Sequence, residues 1–290
     1  MASSKLGLDT VEGEQNNEYV FSSGGYSASA RLNLQYFLFG WQTGFQISPL
    51  VPTNKENLMI ADVGTGSGIW PVELSSKLPS ATIDAFDVTK NLIPRAEWLP
   101  SNVHFHHLDV FEPVPAEYIG KYDVVHIRFF APVLGKTGPE PVVKFVLQML
   151  KPGGILQWDE RETSFRISEN GASKSGGSQA TQSLSSSIQV MFKIMGHDLS
   201  WITRLDEVFD SGGLVDVKKE QYSTPNEMHA YQMDLFFQTL EEASIGMDRM
   251  RGKGEGDELR TRVAAAYEEH RLCGSLMEAD TVVCVGRKAH

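Results

Sequence analysis

Between residues 58 and 160 the chain alternates two kinds of hydrophobic pattern. Short apolar runs, LMIADVG (58–64), ATIDAFDV (81–88), NVHFHHLDV (102–110), YDVVHIRFF (122–130) and GGILQWDE (153–160), read as strands of a buried sheet. GIWPVELSSKL (68–78), between the first two, has helical spacing, and Pro71 falls in its first turn, where an N–H has no intrahelical partner to lose. Strand–helix–strand alternation predicts parallel strands joined by crossover helices. Ahead of this block, residues 28–39 place Leu32, Tyr36 and Phe39 at helical spacing with Arg31 and Gln35 on a neighbouring face, which predicts an amphipathic helix. Beyond it, helical patterns return at 188–197, 204–212, 227–246 and 257–273, with strand-like LVDVKKEQY (214–222) and DTVVCVGRK (280–288) between and after them. The expected fold class is α/β: a doubly wound, mostly parallel seven-stranded sheet with an N-terminal helical segment and helical insertions after the fifth strand.

Two segments depart from these patterns. Residues 1–17 are polar and rich in Glu, Asn and Gln, and are expected to be a mobile tail. Residues 171–187 hold seven serines and three glycines, a composition expected of a flexible loop, either a lid over a site or an idle surface insertion. Residues 18–290 are expected to form one domain: a helical cap over 18–57, a ligand-binding core over 58–160, and substrate-side helices with the last two strands over 161–290.

Charge narrows the partners. The chain carries 26 basic and 37 acidic residues, a net charge of −11, with a pI near 5.2. A field of that sign repels phosphate backbones, so nucleic acid is not an expected partner. The most aromatic stretch, 32–52, is interrupted by Asn33, Gln35, Gln42 and Gln46, which leaves no run long enough for a membrane span. MASSKLGLDTVEGEQNNEY contains no hydrophobic signal core, and Cys273 and Cys284 form neither a disulfide framework nor a metal-ligand spacing, so the expected location is the cytoplasm. Oligomeric state is not legible.

The most informative segment is Ile60-Ala-Asp-Val-Gly-Thr-Gly-Ser-Gly68, a strand running into glycines and then a helix. Glycines there let the backbone turn sharply and let a ligand approach the main chain. A dinucleotide fingerprint would need glycine at position 69, where the chain has Ile69, and the Gly-Lys-Ser/Thr ending of a P-loop is absent. A tight turn with no ligand is the bland alternative. Asp87, nineteen residues after Gly68, ends the next strand, where a carboxylate accepts from a ribose diol or caps the segment that follows. Asp109 ends the third strand and could accept from an adenine amine. Three acids, Asp62, Asp87 and Asp109, at the carboxyl ends of successive strands outline a nucleoside-shaped site where open α/β sheets bind ligands.

DVGTGSG, Asp87, LDV (108–110), YDVVHIR (122–128) and LKPGG (150–154), in that order, resemble the successive motifs of class I S-adenosylmethionine-dependent methyltransferases. The finer pattern, RLNLQ (31–35), WLPSNV (98–103), HIR and LQWDE, is similar to the fungal secondary-metabolism branch, which acts on small molecules. The resemblance implies that Asp62, Gly64, Thr65, Gly66 and Gly68 shape the pocket for the methionine and ribose portions of S-adenosylmethionine. It implies that Asp87 binds the ribose, Val88 packs on the adenine, and Asp109 with Val110 meets the adenine edge. Tyr19 and Arg31 are the candidates to lie over the methionine end, and Arg128 could meet the cofactor carboxylate. The chain departs from the commonest pattern in having Ala85-Phe86 where a glycine often precedes the ribose acid.

The sulfonium already carries its leaving group, so the protein must hold a nucleophile in line with the methyl carbon and exclude water. An oxygen acceptor benefits from a base near pH 7, whereas a neutral amine needs only positioning. His126, near the carboxyl end of the fourth strand and on one face with Arg128, is the first candidate base; a hydrogen-bonded structural role is the alternative. His197, beside Asp198, is the second. His104, His106 and His107 lack a second ligand cluster at zinc-site spacing, so no metal is expected. Trp158 is expected to pack the sheet and Glu160 to orient an acceptor. Phe192, Met195, Trp201, Met233, Phe236 and Phe237 on the late helices suit a flat, apolar acceptor. The leading expectation is O-methylation of a phenolic, enolic or N-hydroxylated aromatic or indole-alkaloid metabolite. N-methylation and a cofactor-bound regulator or rearrangement catalyst on the same fold are the alternatives; an NAD-dependent oxidoreductase is disfavoured by Ile69.

Overall fold

A computed structural model describes residues 21, 25–162, 166–169, 178–194 and 196–290. The elements follow in the order α1 (Gly25–Thr43), β1 (Met59–Val63), α2 (Ile69–Lys77), β2 (Thr82–Asp87), β3 (Val103–His107), β4 (Tyr122–Arg128), α3 (Ala131–Leu134), α4 (Glu140–Met149), β5 (Leu150–Arg161), β6 (Arg166–Glu169), α5 (Gln179–Ile194), α6 (Leu205–Gly212), β7 (Leu214–Tyr222), α7 (His229–Arg251), α8 (Asp257–Cys273), β8 (Ser275–Glu278) and β9 (Thr281–Lys288).

Seven of these strands make one sheet in the order β3-β2-β1-β4-β5-β9-β7, and β9 runs antiparallel to both of its neighbours. The expected mostly parallel, doubly wound sheet is present. The strand order reverses between β1 and β4, and the loop after β1 emerges at that switch point, where a crevice forms outside the carboxyl ends of the strands. Ile60, Ala61 and Val63 of β1, and Ile83, Ala85 and Phe86 of β2, are almost wholly buried, which is why these strands read as unbroken apolar runs.

Each face of the sheet has its own core. Tyr36 and Phe39 of α1 and Trp70 and Leu74 of α2 pack on one face; Val142, Val146 and Met149 of α4 and Leu205 and Phe209 of α6 pack on the other. A third cluster joins Leu184 and Ile188 of α5, Met233 and Phe237 of α7 and Val263 of α8 with Leu276 and Met277 of β8.

The structure corrects the sequence reading of the serine-rich segment over its second half. Residues 179–187 are the first half of α5, not loop. Thr181, Leu184, Ser185 and Ile188 form a buried stripe at helical spacing, while Ser183 and Ser186 face water. The start of α5 is capped from α8: the Glu269 carboxylate accepts the N–H groups of Ala180 and Thr181 at 3.0 and 2.8 Å. Residues 171–177 lie outside the described residues, as do 1–17. α4 and the short antiparallel ribbon β6–β8 have no counterpart among the predicted elements. β3 stops at His107, so Asp109 sits in the loop beyond it.

Candidate active site

Gly64, Gly66 and Gly68 all have φ near +60 to +75°, the left-handed region that strains any residue with a Cβ. The loop is also roofed closely. A Cβ on Gly64 would stand 2.5 Å from the Phe130 ring, and one on Gly68 would stand 2.6 Å from the Phe105 ring. The N–H groups of Gly64 and Thr65 bond the carbonyl of Phe86, and Gly66 donates its N–H to Asp87 at 2.9 Å, so the end of β2 anchors the loop after β1. The other Asp87 oxygen accepts from Thr89 N–H at 3.1 Å. Burial raises the Asp87 pKa, opposed by these backbone donors. Each oxygen keeps a lone pair for a further donor. Val88, beside it, is 58% exposed, an apolar surface next to the acid.

Beneath the loop lies a buried polar chain. Thr65 donates its hydroxyl to Asp62 at 2.6 Å, Asp62 lies 2.7 Å from Nδ1 of His126, and His126 Nε2 lies 3.3 Å from Asp159. Asp159 accepts from Arg128 Nε at 2.9 Å and from Gln157, and Arg128 donates through both remaining nitrogens to Gln46. His126 is 1% exposed and stacks on Trp70, so it is not a base facing the crevice; it orients Asp62, and through it the glycine loop. Arg128 is likewise withdrawn from a cofactor-carboxylate role: each of its nitrogens already has a protein acceptor, and its guanidinium lies 3.5 Å over the Phe39 ring.

Other expected site residues are distributed differently. Arg31 pairs through Nε with Glu242 of α7 at 2.6 Å, which ties α1 to α7. Tyr19 and Met195 lie outside the described residues. Asp109 accepts from Phe111 N–H at 2.9 Å and is half-buried, and Val110 packs into the core. Trp158 packs the sheet as expected. Glu160 does not face an acceptor: one of its oxygens holds the N–H groups of Phe130 and Ala131 and the Trp158 indole, and burial pushes its pKa up to about 8. That pinning places Phe130 over Gly64. His106 bonds Asp84 at 3.2 Å.

His197 borders a cavity of about 380 Å³ that is also lined by Glu162, Gln189, Phe192, Lys193 and Leu199. Its Nδ1 is buried without a hydrogen-bond partner among the described residues, its ring meets Phe192 edge to face, and burial lowers its pKa, which favours a neutral imidazole at pH 7. Asp198 caps Ser200 rather than bonding His197. Sequence reasoning missed Gln46, Phe130 and Arg161. Strand alternation puts Arg161 on one face with Gln157 and Asp159, a signal that was available.

Residues 60–154 match the profile of the methyltransferase domain family. The chain is 38% identical over 109 residues to methyltransferase grgD of a Penicillium species, covering 35% of this chain and 38% of that protein. It is 33% identical over 105 residues to N-methyltransferase verN of Clonostachys rogersoniana, covering 36% and 37%. The match thus spans well under half the length of these relatives. In fold, the chain is similar to a chain of the complex between the Haloferax volcanii Trm112 methyltransferase activator and a methyltransferase, with a TM-score of 0.53 and 16% identity over 91% of this chain and 96% of that one. It is also similar to Haemonchus contortus phosphoethanolamine N-methyltransferase 2, solved with phosphomonomethylethanolamine and S-adenosylhomocysteine, with a TM-score of 0.51 and 13% identity over 90% and 58%. These likenesses agree with a Rossmann-like methyltransferase fold. No helix among the described residues is long and apolar enough to cross a membrane.

Proposed function

We propose that the chain transfers a methyl group from S-adenosylmethionine to a small natural product. The observation that carries this reading is the joint between Asp87 and Gly66. A strand-end carboxylate with spare lone pairs is tied to a left-handed glycine loop at the switch point, with exposed Val88 alongside. The donor set fits the cofactor: Gly64, Thr65, Gly66 and Gly68 would line its methionine and ribose portions, Asp87 the diol, and Val88 and Asp109 the adenine. When bound, S-adenosylmethionine supplies an electrophilic methyl group and a neutral thioether leaving group. The chain's own work is to orient the acceptor and keep water out. Asp62, held by Thr65 and His126, stiffens the loop for that purpose.

For the acceptor, the His197 cavity supplies an aromatic wall in Phe192 and a neutral imidazole, which supports the oxygen-acceptor reading with an aromatic or indole-alkaloid substrate. The nitrogen-acceptor reading is favoured by the loss of His126 as a base and by the name of verN, an N-methyltransferase. The net charge of −11 supports a small-molecule acceptor over nucleic acid. The test is calorimetric titration of S-adenosylmethionine, followed by incubation with phenolic, N-hydroxylated and amine metabolites while S-adenosylhomocysteine is followed by mass spectrometry. Binding with turnover supports the proposal and the productive acceptor class assigns the atom. Binding without turnover on any class favours a regulator or rearrangement catalyst, and no binding rejects the cofactor assignment.

A further inference from the structure

Arg161 ends β5 with both terminal guanidinium nitrogens buried and without a hydrogen-bond partner among the described residues. Its Cζ lies 5.8 Å from the ring centre of Phe129 and 5.6 Å from that of Phe236 on α7. Gln232, one helical turn before Phe236 and therefore on the same side of α7, is 2% exposed and has both amide atoms unpartnered among the described residues. A buried cation left unpaired is costly, and two aromatic faces offset only part of that cost. Burial alone pushes the Arg161 pKa down to about 10, so the group stays charged near neutrality. Four strand-end features set its place. Asp87 lies on β2, the glycine loop follows β1, Phe129 follows β4, and Arg161 ends β5, three strands from Asp87 and about 14 Å across the sheet.

We propose that Arg161 is the anchor for a carboxylate on the methyl acceptor, with Phe129 and Phe236 flanking the acceptor's flat ring and Gln232 meeting a polar atom on it. The word acceptor rests on the methyl-transfer reading; the anion site does not. A guanidinium with free terminal nitrogens matches a carboxylate through two parallel hydrogen bonds, which neither a neutral amide nor a hydroxyl reproduces. Phe236, the aromatic side chain on the α7 side of Arg161, is only part-buried. This adds a charged group to the flat, apolar acceptor that the late helices suggest.

The test titrates indole-3-carboxylate and indole-3-carboxamide into the S-adenosylhomocysteine-saturated protein, into Arg161→Met and into Arg161→Lys. The acid is expected to bind the parent more tightly than the amide. Arg161→Met is expected to weaken the acid about 10- to 100-fold, the effect of losing charged hydrogen bonds, and to leave the amide unchanged. Arg161→Lys is expected to retain part of the preference. The ligand-free Arg161→Met protein is expected to melt above the parent, because an unpaired buried charge is gone; a purely structural arginine would give a lower melting point. Equal binding of acid and amide, or binding of neither, overturns the proposal. So does a loss of S-adenosylhomocysteine affinity in Arg161→Met with 5′-methylthioadenosine affinity kept, because the carboxylate would then be the cofactor's. If S-adenosylhomocysteine fails to bind the parent, the methyl-transfer reading falls, and the same acid–amide comparison on the free protein still decides the anion site.

Discussion

The indole of Trp70 lies parallel to the imidazole of His126, with ring centres 4.0 Å apart and 1° between the planes. This stack closes one side of a histidine whose two nitrogens already lie against Asp62 and Asp159. Replacing His126 by Ala leaves two buried carboxylates without it, and is expected to cost about 3 kcal/mol in chemical denaturation. Methyl transfer by whatever fraction remains folded is expected to keep the parent's pH profile. A lost acidic limb in that profile would return His126 to the role of base.

Asp87 has two separable tasks, holding Gly66 N–H and offering its remaining lone pairs to a ligand diol. Asp87→Ala removes both and is expected to weaken S-adenosylhomocysteine by about 1.5–3 kcal/mol in calorimetry. Asp87→Asn keeps an oxygen acceptor for the loop while losing the charge, so its affinity should fall between the two. Parent-like affinity in Asp87→Ala would reject the ribose assignment.

Much of this was legible in the chain and some was not, for identifiable reasons. β1, β2 and β4 follow the predicted runs because strands buried on both faces are largely apolar, whereas β3, at the sheet edge, buries only Val103. The glycine loop and Asp87 were visible because backbone approach and strand ends constrain residue type locally. By contrast, α5 hid behind its serines: half of its buried stripe is Thr181 and Ser185, and its cap comes from Glu269, 88 residues from Thr181. The role of His126 depends on Asp62 and Asp159, which lie 64 and 33 residues away and meet it only through strand register. That Arg128 finds acceptors on Asp159 and Gln46, while the terminal nitrogens of Arg161 find none among the described residues, is likewise a property of the packing.

Gly64 and Gly120 offer a matched comparison. Both have left-handed φ, +74° and +63°, but a Cβ on Gly120 meets nothing within 4 Å whereas one on Gly64 overlaps Phe130. Gly120→Ala is expected to cost about 1–2 kcal/mol, the conformational term alone. Gly64→Ala should cost about 1–3 kcal/mol more from overpacking and should also weaken S-adenosylhomocysteine, since Phe130 must shift. Equal costs in thermal or urea unfolding would mean that the Phe130 contact is not tight.

Glu160 predicts a pH dependence of stability. Its folded pKa lies near 8, above the ordinary 4.5, so the folded state holds a proton that the unfolded state releases between those values. Stability from this group is therefore full below about pH 4.5, falls as pH rises toward 8 and is flat beyond. Glu160→Gln keeps an oxygen for Phe130 and Ala131 and does not titrate. Its unfolding free energy should decline less steeply than the parent's between pH 5 and 8, on the order of 1 kcal/mol less per pH unit. Parallel slopes would show that Glu160 is ionised throughout.

His197 can be tested by kinetics once an oxygen acceptor is found. Burial lowers its pKa from 6.5, so the neutral form dominates at pH 7 and is lost only as pH falls through the lowered value. The rate should rise with pH below 6.5 and then level off. His197→Gln fills a similar volume without a basic nitrogen, and is expected to lower kcat by about 10²–10⁴-fold and remove that acidic limb, while cofactor affinity stays at the parent value. With an amine acceptor, the same substitution should change KM more than kcat, because the residue then only shapes the wall beside Phe192. An unchanged kcat with both acceptor types would leave His197 as a wall of the cavity and no more.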